Sequence, residues 1–183
     1  MSATAERSEP VIQLVPSDEE RLLREAVSGI ASGYGAKYMR EKADAGEPPT
    51  ELWDALAEKG YCGVNLPEEF GGGGLGMTGL AAVQEELALQ GTTQLLLVVS
   101  PAIAGSILVA RGSREQQEEW LPGLARGTTR IAFAVTEPDA GTNTHNIKTR
   151  AKQNAEGNWV LKGQKTYISG VEHATHILSL IHI

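Results

Sequence analysis

RIAFAVTEPDAGTN, Arg130 to Asn143, is where the chain changes character. The sustained apolar patterns before it, from Leu22 onward, repeat with the 3.6-residue period of a helix. Ile131 to Val135 is instead a short continuous apolar run of the kind that forms a strand. It breaks at Glu137-Pro138 into a turn of small residues. The boundary between a helical part and a β part therefore falls near residue 129, and the chain divides into 1–16, 17–129 and 130–183.

Upstream, residues 1–16 show no sustained period and read as a frayed N-terminus. Ser17 precedes Asp18, Glu19 and Glu20, an N-cap followed by an acidic first turn. Leu22, Leu23, Ala26, Val27, Ile30 and Ala31 then share one helical face, and this helix is expected to run to about Ala43. Gly46, Pro48 and Pro49 stop it. Thr50 is expected to cap a short helix carrying Leu52, Trp53, Leu56 and Ala57, closed by Gly60. Gly71 to Gly76 is a loop whose glycines permit tight reversals. Met77 to Gln90 returns to helical register. A very apolar helix follows Gly91-Thr92-Thr93 and ends near Arg111-Gly112. Ser113 caps a last helix with Trp120 and Leu121, and Pro122 predicts an early turn.

Downstream, strands are expected over Ile147–Lys152, Trp159–Lys162 and Thr166–Ser169, with Asn154 to Asn158 as a polar turn. The chain is thus an α+β protein: helices first, then the start of a β domain.

Composition narrows the function. Among 183 residues, 16 are basic and 23 acidic, a net charge of -7. That balance lacks the clustered Lys and Arg that attract nucleic acid or anionic lipid. Cys62 is the one cysteine, which excludes internal disulfides and cysteine-based zinc sites. His145, His173, His176 and His182 have no metal-ligand spacing. The most apolar stretch, from Leu95 through Ala110, contains Ser100, Pro101 and Gly105 and falls short of the about twenty residues a membrane span needs. With no signal-like start, the expected setting is the cytoplasm.

The run from Phe133 to Asn143 also offers chemistry. Thr136 and Thr142 supply hydroxyls, and Gly141 leaves backbone amides bare for a close ligand. A spaced set of donors and acceptors beside an apolar wall suits the polar edge of a flat heterocycle. On composition alone, a hairpin turn with threonine caps accounts for it as well.

Resemblance separates the two. The run is similar to the signature of the acyl-CoA dehydrogenase family, an aromatic-x-V-T-E-P-x-A-G-[ST] segment at the entrance to the middle β-barrel domain. GQKTYISG, Gly163 to Gly170, resembles the family's second flavin segment, and EEFGGGGLG resembles the glycine loop of its helical domain. The matches lie in family order and cover roughly residues 17 to 177. They imply an all-α N-terminal helical domain followed by the start of a β-barrel middle domain. They also imply an oxidoreductase that uses FAD to remove the α proton and β hydride of an acyl-CoA thioester, the hydride passing to flavin N5. Phe133 would lie against the flavin, with Val135 and Thr136 at its pyrimidine edge and Gly141 beside them. Thr142 would sit near the flavin and the CoA arm. Tyr167 and Ile168 would shield the ring, and Ser169 would stand beside N5. The run Leu95 to Ser100, including Val99, maps to the acyl-chain cavity, although plain helix packing explains most of it somewhat better.

Two positions depart from the family pattern: Asn143 stands where aspartate is commoner, and Gly170 where asparagine is frequent. The family's catalytic glutamate belongs to a C-terminal helical bundle, so no catalytic residue is assigned here. The partners implied are an acyl-CoA substrate, electron-transferring flavoprotein or another electron acceptor, and further copies of the full-length protein. An acyl-CoA oxidase or flavin monooxygenase of the same fold, and a non-catalytic binding module, are the alternatives. Leu178 to Ile183, LSLIHI, resembles the translation of a transposon end used in sequencing-library preparation and is expected to be artefactual, with an ordinary apolar strand as the alternative.

Overall fold

Ser17 opens the first helix as its residue type predicts, its hydroxyl accepting the Glu20 amide at 3.1 Å. The computed structural model describes residues 15–183, so the N-terminus expected to fray lies almost wholly outside the described residues. Helix α1 spans Asp18–Ala31 and α2 spans Gly35–Ala45. The single helix expected to reach about Ala43 is therefore two. Gly33 and Gly35 interrupt an otherwise continuous apolar period, and Gly35 takes φ +74°, a left-handed value that breaks the helix.

Helix α3 covers Thr50–Glu58, with Pro49 rather than Thr50 at the N-cap position and no side-chain cap. The chain then folds back on itself. The Gly73 amide donates to the Gly63 carbonyl at 3.0 Å and the Gly74 amide to the Leu66 carbonyl at 2.9 Å. A Cβ at Gly72 would stand 2.2 Å from the Leu66 carbonyl oxygen. The glycine loop is thus a packing device, pressed against residues 63–66.

Helix α4 is Gly76–Leu89. The apolar helix starts as α5, Leu95–Leu97, widens into a π-helical stretch over Val98–Gly105, and ends as α6, Ser106–Arg111. Pro101 lies inside the wide stretch. It has no amide to donate and its ring crowds the preceding turn, and a wider turn accommodates both. Helix α7, Arg114–Ala125, opens with a reciprocal capping box between Ser113 and Gln116. Pro122 does not end it early. The carbonyl it leaves unpaired belongs to exposed Glu118, which water can satisfy.

The β part begins at Ile131. Strand β1, Ile131–Ala134, pairs in parallel with β4, His176–Ser179, while β2, Arg150–Gln153, pairs antiparallel with β3, Trp159–Lys162. The strand expected over Thr166–Ser169 does not form. Tyr167 holds φ +58°, the one non-glycine residue with positive φ among the described residues, and a strand cannot pass through that conformation. Leu178 pairs with Phe133 in the β1–β4 ladder. Beyond it, the Ala151 amide donates to the His182 carbonyl at 2.8 Å.

Two apolar clusters hold this together. Val27, Leu52, Leu56, Val83, Leu87 and Leu97 belong to the first, wholly within the helical part. The second joins Leu66, Phe70, Leu121 and Leu124 to Ile131, and so seats β1 against the helices. Ser100 completes that junction: its buried hydroxyl accepts the Ile131 amide at 2.8 Å.

Candidate functional site

The two signature segments meet. The Thr166 amide donates to the Thr136 carbonyl at 3.0 Å, which lays residues 163–170 beside the end of β1. Thr136 and Val135 are half-buried and Phe133 is half-buried beside them, while Ser169 is exposed and Ile168 half-buried. Gly141 and Thr142 are exposed in the turn after Pro138. A Cβ at Gly141 would meet nothing, so the fold itself does not demand glycine there.

A groove of about 620 Å³ runs along this junction. Ala134, Thr149, Leu161, Lys165, Tyr167 and Ile168 are among the residues that line it. Of the residues singled out in the sequence, Tyr167 and Ile168 face this groove, while Phe133, Val135, Thr136, Gly141, Thr142 and Ser169 are not on its wall. Tyr167 is 92% exposed, an aromatic ring held out by a strained backbone. Val99 is buried in the π-helical stretch. Its neighbours Leu95 and Leu96, by contrast, line a second pocket of about 220 Å³ with Met39, Trp53, Gln94 and Arg130.

Sequence reasoning missed the centre of the junction. Glu137 reads as a turn carboxylate of the signature rather than a base, yet it is buried. Its Oε2 accepts the Lys148 amide at 2.6 Å, and its Oε1 accepts the Thr149 amide at 3.0 Å and the Lys165 ammonium at 2.9 Å. Lys165 also donates to the carbonyls of Val135 at 2.9 Å and Leu180 at 2.7 Å. The Thr149 hydroxyl alongside, the Lys148 amide, the Lys165 ammonium and the Thr149 amide hold the Glu137 carboxyl down at about 2. That hydroxyl makes no bond of good geometry, so the three N–H donors carry the effect. The signal available in sequence was Lys165 itself, the lysine of the GQKTYISG segment.

Do these residues suit a flavin? The Thr149 and Thr166 hydroxyls are buried with no partner. Thr149 lines the groove, and Thr166 sits between groove residues Lys165 and Tyr167. Unsatisfied hydroxyls beside an apolar groove and a protruding aromatic ring are what the edge and face of an isoalloxazine would occupy. The donor set fits. Among the described residues, no cluster of three His, Cys, Asp or Glu could hold a metal ion, and no helix is long and apolar enough to cross a membrane.

A helical domain leading into a β part that carries a largely apolar groove edged by unpaired hydroxyls is an arrangement that suits a flavin-dependent dehydrogenase. Family models of the acyl-CoA dehydrogenase N-terminal domain match residues 17–128 and of its middle domain residues 132–182, and the chain belongs to the acyl-CoA dehydrogenase family. It is 47% identical over 164 residues to acyl-CoA dehydrogenase FadE12 of Mycobacterium tuberculosis, which covers 90% of this chain and 42% of that protein. The solved acyl-CoA dehydrogenase of Geobacillus kaustophilus is similar over 92% of this chain and 44% of its own, with 25% identity and a TM-score of 0.83. A chain in the solved electron transferring flavoprotein of Acidaminococcus fermentans is similar over 89% of this chain and 43% of its own, at 27% identity and a TM-score of 0.80. The chain thus spans less than half the length of these relatives.

Proposed function

We propose that this chain supplies the helical domain and one edge of the flavin site of an FAD-dependent acyl-CoA dehydrogenase, which forms a double bond between the α and β carbons of an acyl-CoA thioester. The observation that carries the reading is the junction of the two signature segments, Thr166 amide to Thr136 carbonyl at 3.0 Å, beside a groove with unsatisfied hydroxyls. FAD, when bound, supplies the two-electron acceptor for the reaction.

The chain's own residues orient and shield. Val135 and Thr136 present main-chain and hydroxyl groups to the ring edge, with Phe133 and Gly141 beside them. Tyr167 and Ile168 cover one face of the ring against water. Ser169 offers a hydroxyl near the reacting end, and Thr142 lies toward the CoA arm. Leu95, Leu96 and Val99 give an apolar wall to the acyl chain. No carboxylate lines the 620 Å³ groove, so a base for the α proton comes from outside these residues. The same reading sets the activity in the cytoplasm and in fatty acid metabolism, with electrons passing to an electron-transferring flavoprotein and the full-length protein assembling from several copies.

The test is a chimera in which this chain replaces the matching segment of FadE12, alongside the chain alone. The chimera is expected to hold FAD and to lose its yellow absorbance when an acyl-CoA is added anaerobically. The chain alone is expected to leave FAD oxidised under the same conditions. A folded chimera that takes up no FAD would overturn the proposal.

A further inference from the structure

We propose that Lys165 and Glu137 form a buried latch that positions both flavin-facing segments, making them positioning residues for the site described above. This inference rests on the flavin reading and adds residues that it does not use.

The geometry is unusually complete. A lysine ammonium has three N–H bonds to give, and all three are given: to the Val135 carbonyl, the Glu137 carboxylate and the Leu180 carbonyl. The lysine and glutamate side chains are 12% and 5% exposed. Lys148 and Asp139 also pair nearby, at 2.6 Å, but are 71% and 72% exposed, so water competes for both partners. Burial removes that competition from the latch. It also means that deleting either partner strands the other charge.

Consequences follow for the cofactor edge. The Lys165 contact to the Val135 carbonyl and its pairing with Glu137 bracket Thr136 on both sides. The same lysine lies two residues before Tyr167, whose left-handed φ needs its flanks fixed. With the Thr166 amide on the Thr136 carbonyl, the segments are joined at three successive positions, 135, 136 and 137. The contacts to Val135 and Glu137 do not involve residues 178–183, and the third is to a backbone carbonyl that any residue at 180 would present.

The test uses Lys165→Met and, should that variant not fold, Glu137→Gln, which keeps oxygen for one amide and loses the charge. In the FadE12 chimera, Lys165→Met is expected to weaken FAD binding by about tenfold or more and to change the visible circular dichroism of bound flavin. In the chain without FAD, hydrogen exchange at the Thr166 amide is expected to quicken by about tenfold or more. Lys165→Cys treated with 2-bromoethylamine rebuilds an ammonium of nearly lysine length. Cys62, buried and with its thiol pushed up to about 12 chiefly by desolvation, resists the reagent. That treatment is expected to restore slow Thr166 exchange, which a role confined to general packing would not predict. Exchange at Thr166 that Lys165→Met leaves unchanged overturns the latch, as does FAD binding within about twofold of the unaltered chimera. If the unaltered chimera takes up no FAD, the flavin reading alone falls, and the exchange measurement still judges the latch.

Discussion

At the scale of single residues, Thr136 and Glu137 are adjacent and do different work. Thr136 is half-buried, its carbonyl engaged by Thr166, and its hydroxyl is the group assigned to the flavin edge. In the FadE12 chimera, Thr136→Ala is expected to weaken FAD binding by about 0.5–1.5 kcal/mol, the net contribution of one hydrogen bond, as read by FAD fluorescence titration. Equal affinity would remove Thr136 from the contact set. Glu137 governs acid behaviour instead. Its carboxyl is held at about 2 in the fold against an ordinary 4.5. A depressed folded value stabilises the fold above the ordinary value and loses that stabilisation as pH falls toward the folded one. The chain's stability is therefore expected to decline between about pH 4.5 and about 2, and more shallowly in Glu137→Gln. Urea titrations at stepped pH read the slope, and parallel slopes in the two proteins would contradict the assignment. Thr136 was singled out by the sequence, whereas the burial and pairing of Glu137 were not. A glutamate before proline in a run of small residues looks like a turn carboxylate, and its partner lies 28 residues downstream.

Among elements, the legible parts were those with local causes. Ser17 and Ser113 announced helix starts because an N-cap acts within one turn, and the Ile131 strand announced itself by breaking the helical period. The break between α1 and α2 was hidden because apolar spacing continues across Gly33 and Gly35. The π-helical stretch was hidden because a mostly apolar run with no polar face gives no phase. That stretch nonetheless sets the junction: it brings the Ser100 hydroxyl, fully buried, to the first amide of β1 at 2.8 Å. Ser100→Ala leaves that amide buried without an acceptor. Removing one partner of a buried bond costs about 1–3 kcal/mol, and Ser100→Ala is expected to lower the urea midpoint accordingly without changing the slope. A midpoint equal to that of the unaltered chain would show that water or another acceptor serves Ile131.

Considered whole, the molecule is unevenly covered. The helical part encloses a core in which Val27, Leu52, Leu56 and Leu87 have no exposure. The β part does not close: the strands form two separate two-stranded sheets, β1 with β4 and β2 with β3. His182 bridges the free side of β2, but the outer edge of β3 offers unpaired amides and carbonyls, which template pairing with another chain. Trp159, Val160 and Leu161 are successive residues of β3 and are each more than half exposed, so both faces of that strand carry apolar surface. A two-stranded sheet with an apolar face has too little burial to be stable by itself. At high concentration the chain is therefore expected to associate through β3, with sedimentation velocity showing species larger than the 19.5 kDa monomer. Val160→Lys places a charge on that strand, where an incoming edge would have to bury it, and is expected to shift the distribution back to monomer. The helical core is untouched by that change, so its thermal transition should stay where it was. A chain that remains a single monomeric species at high concentration would show that the open edges are shielded by the segments already in place.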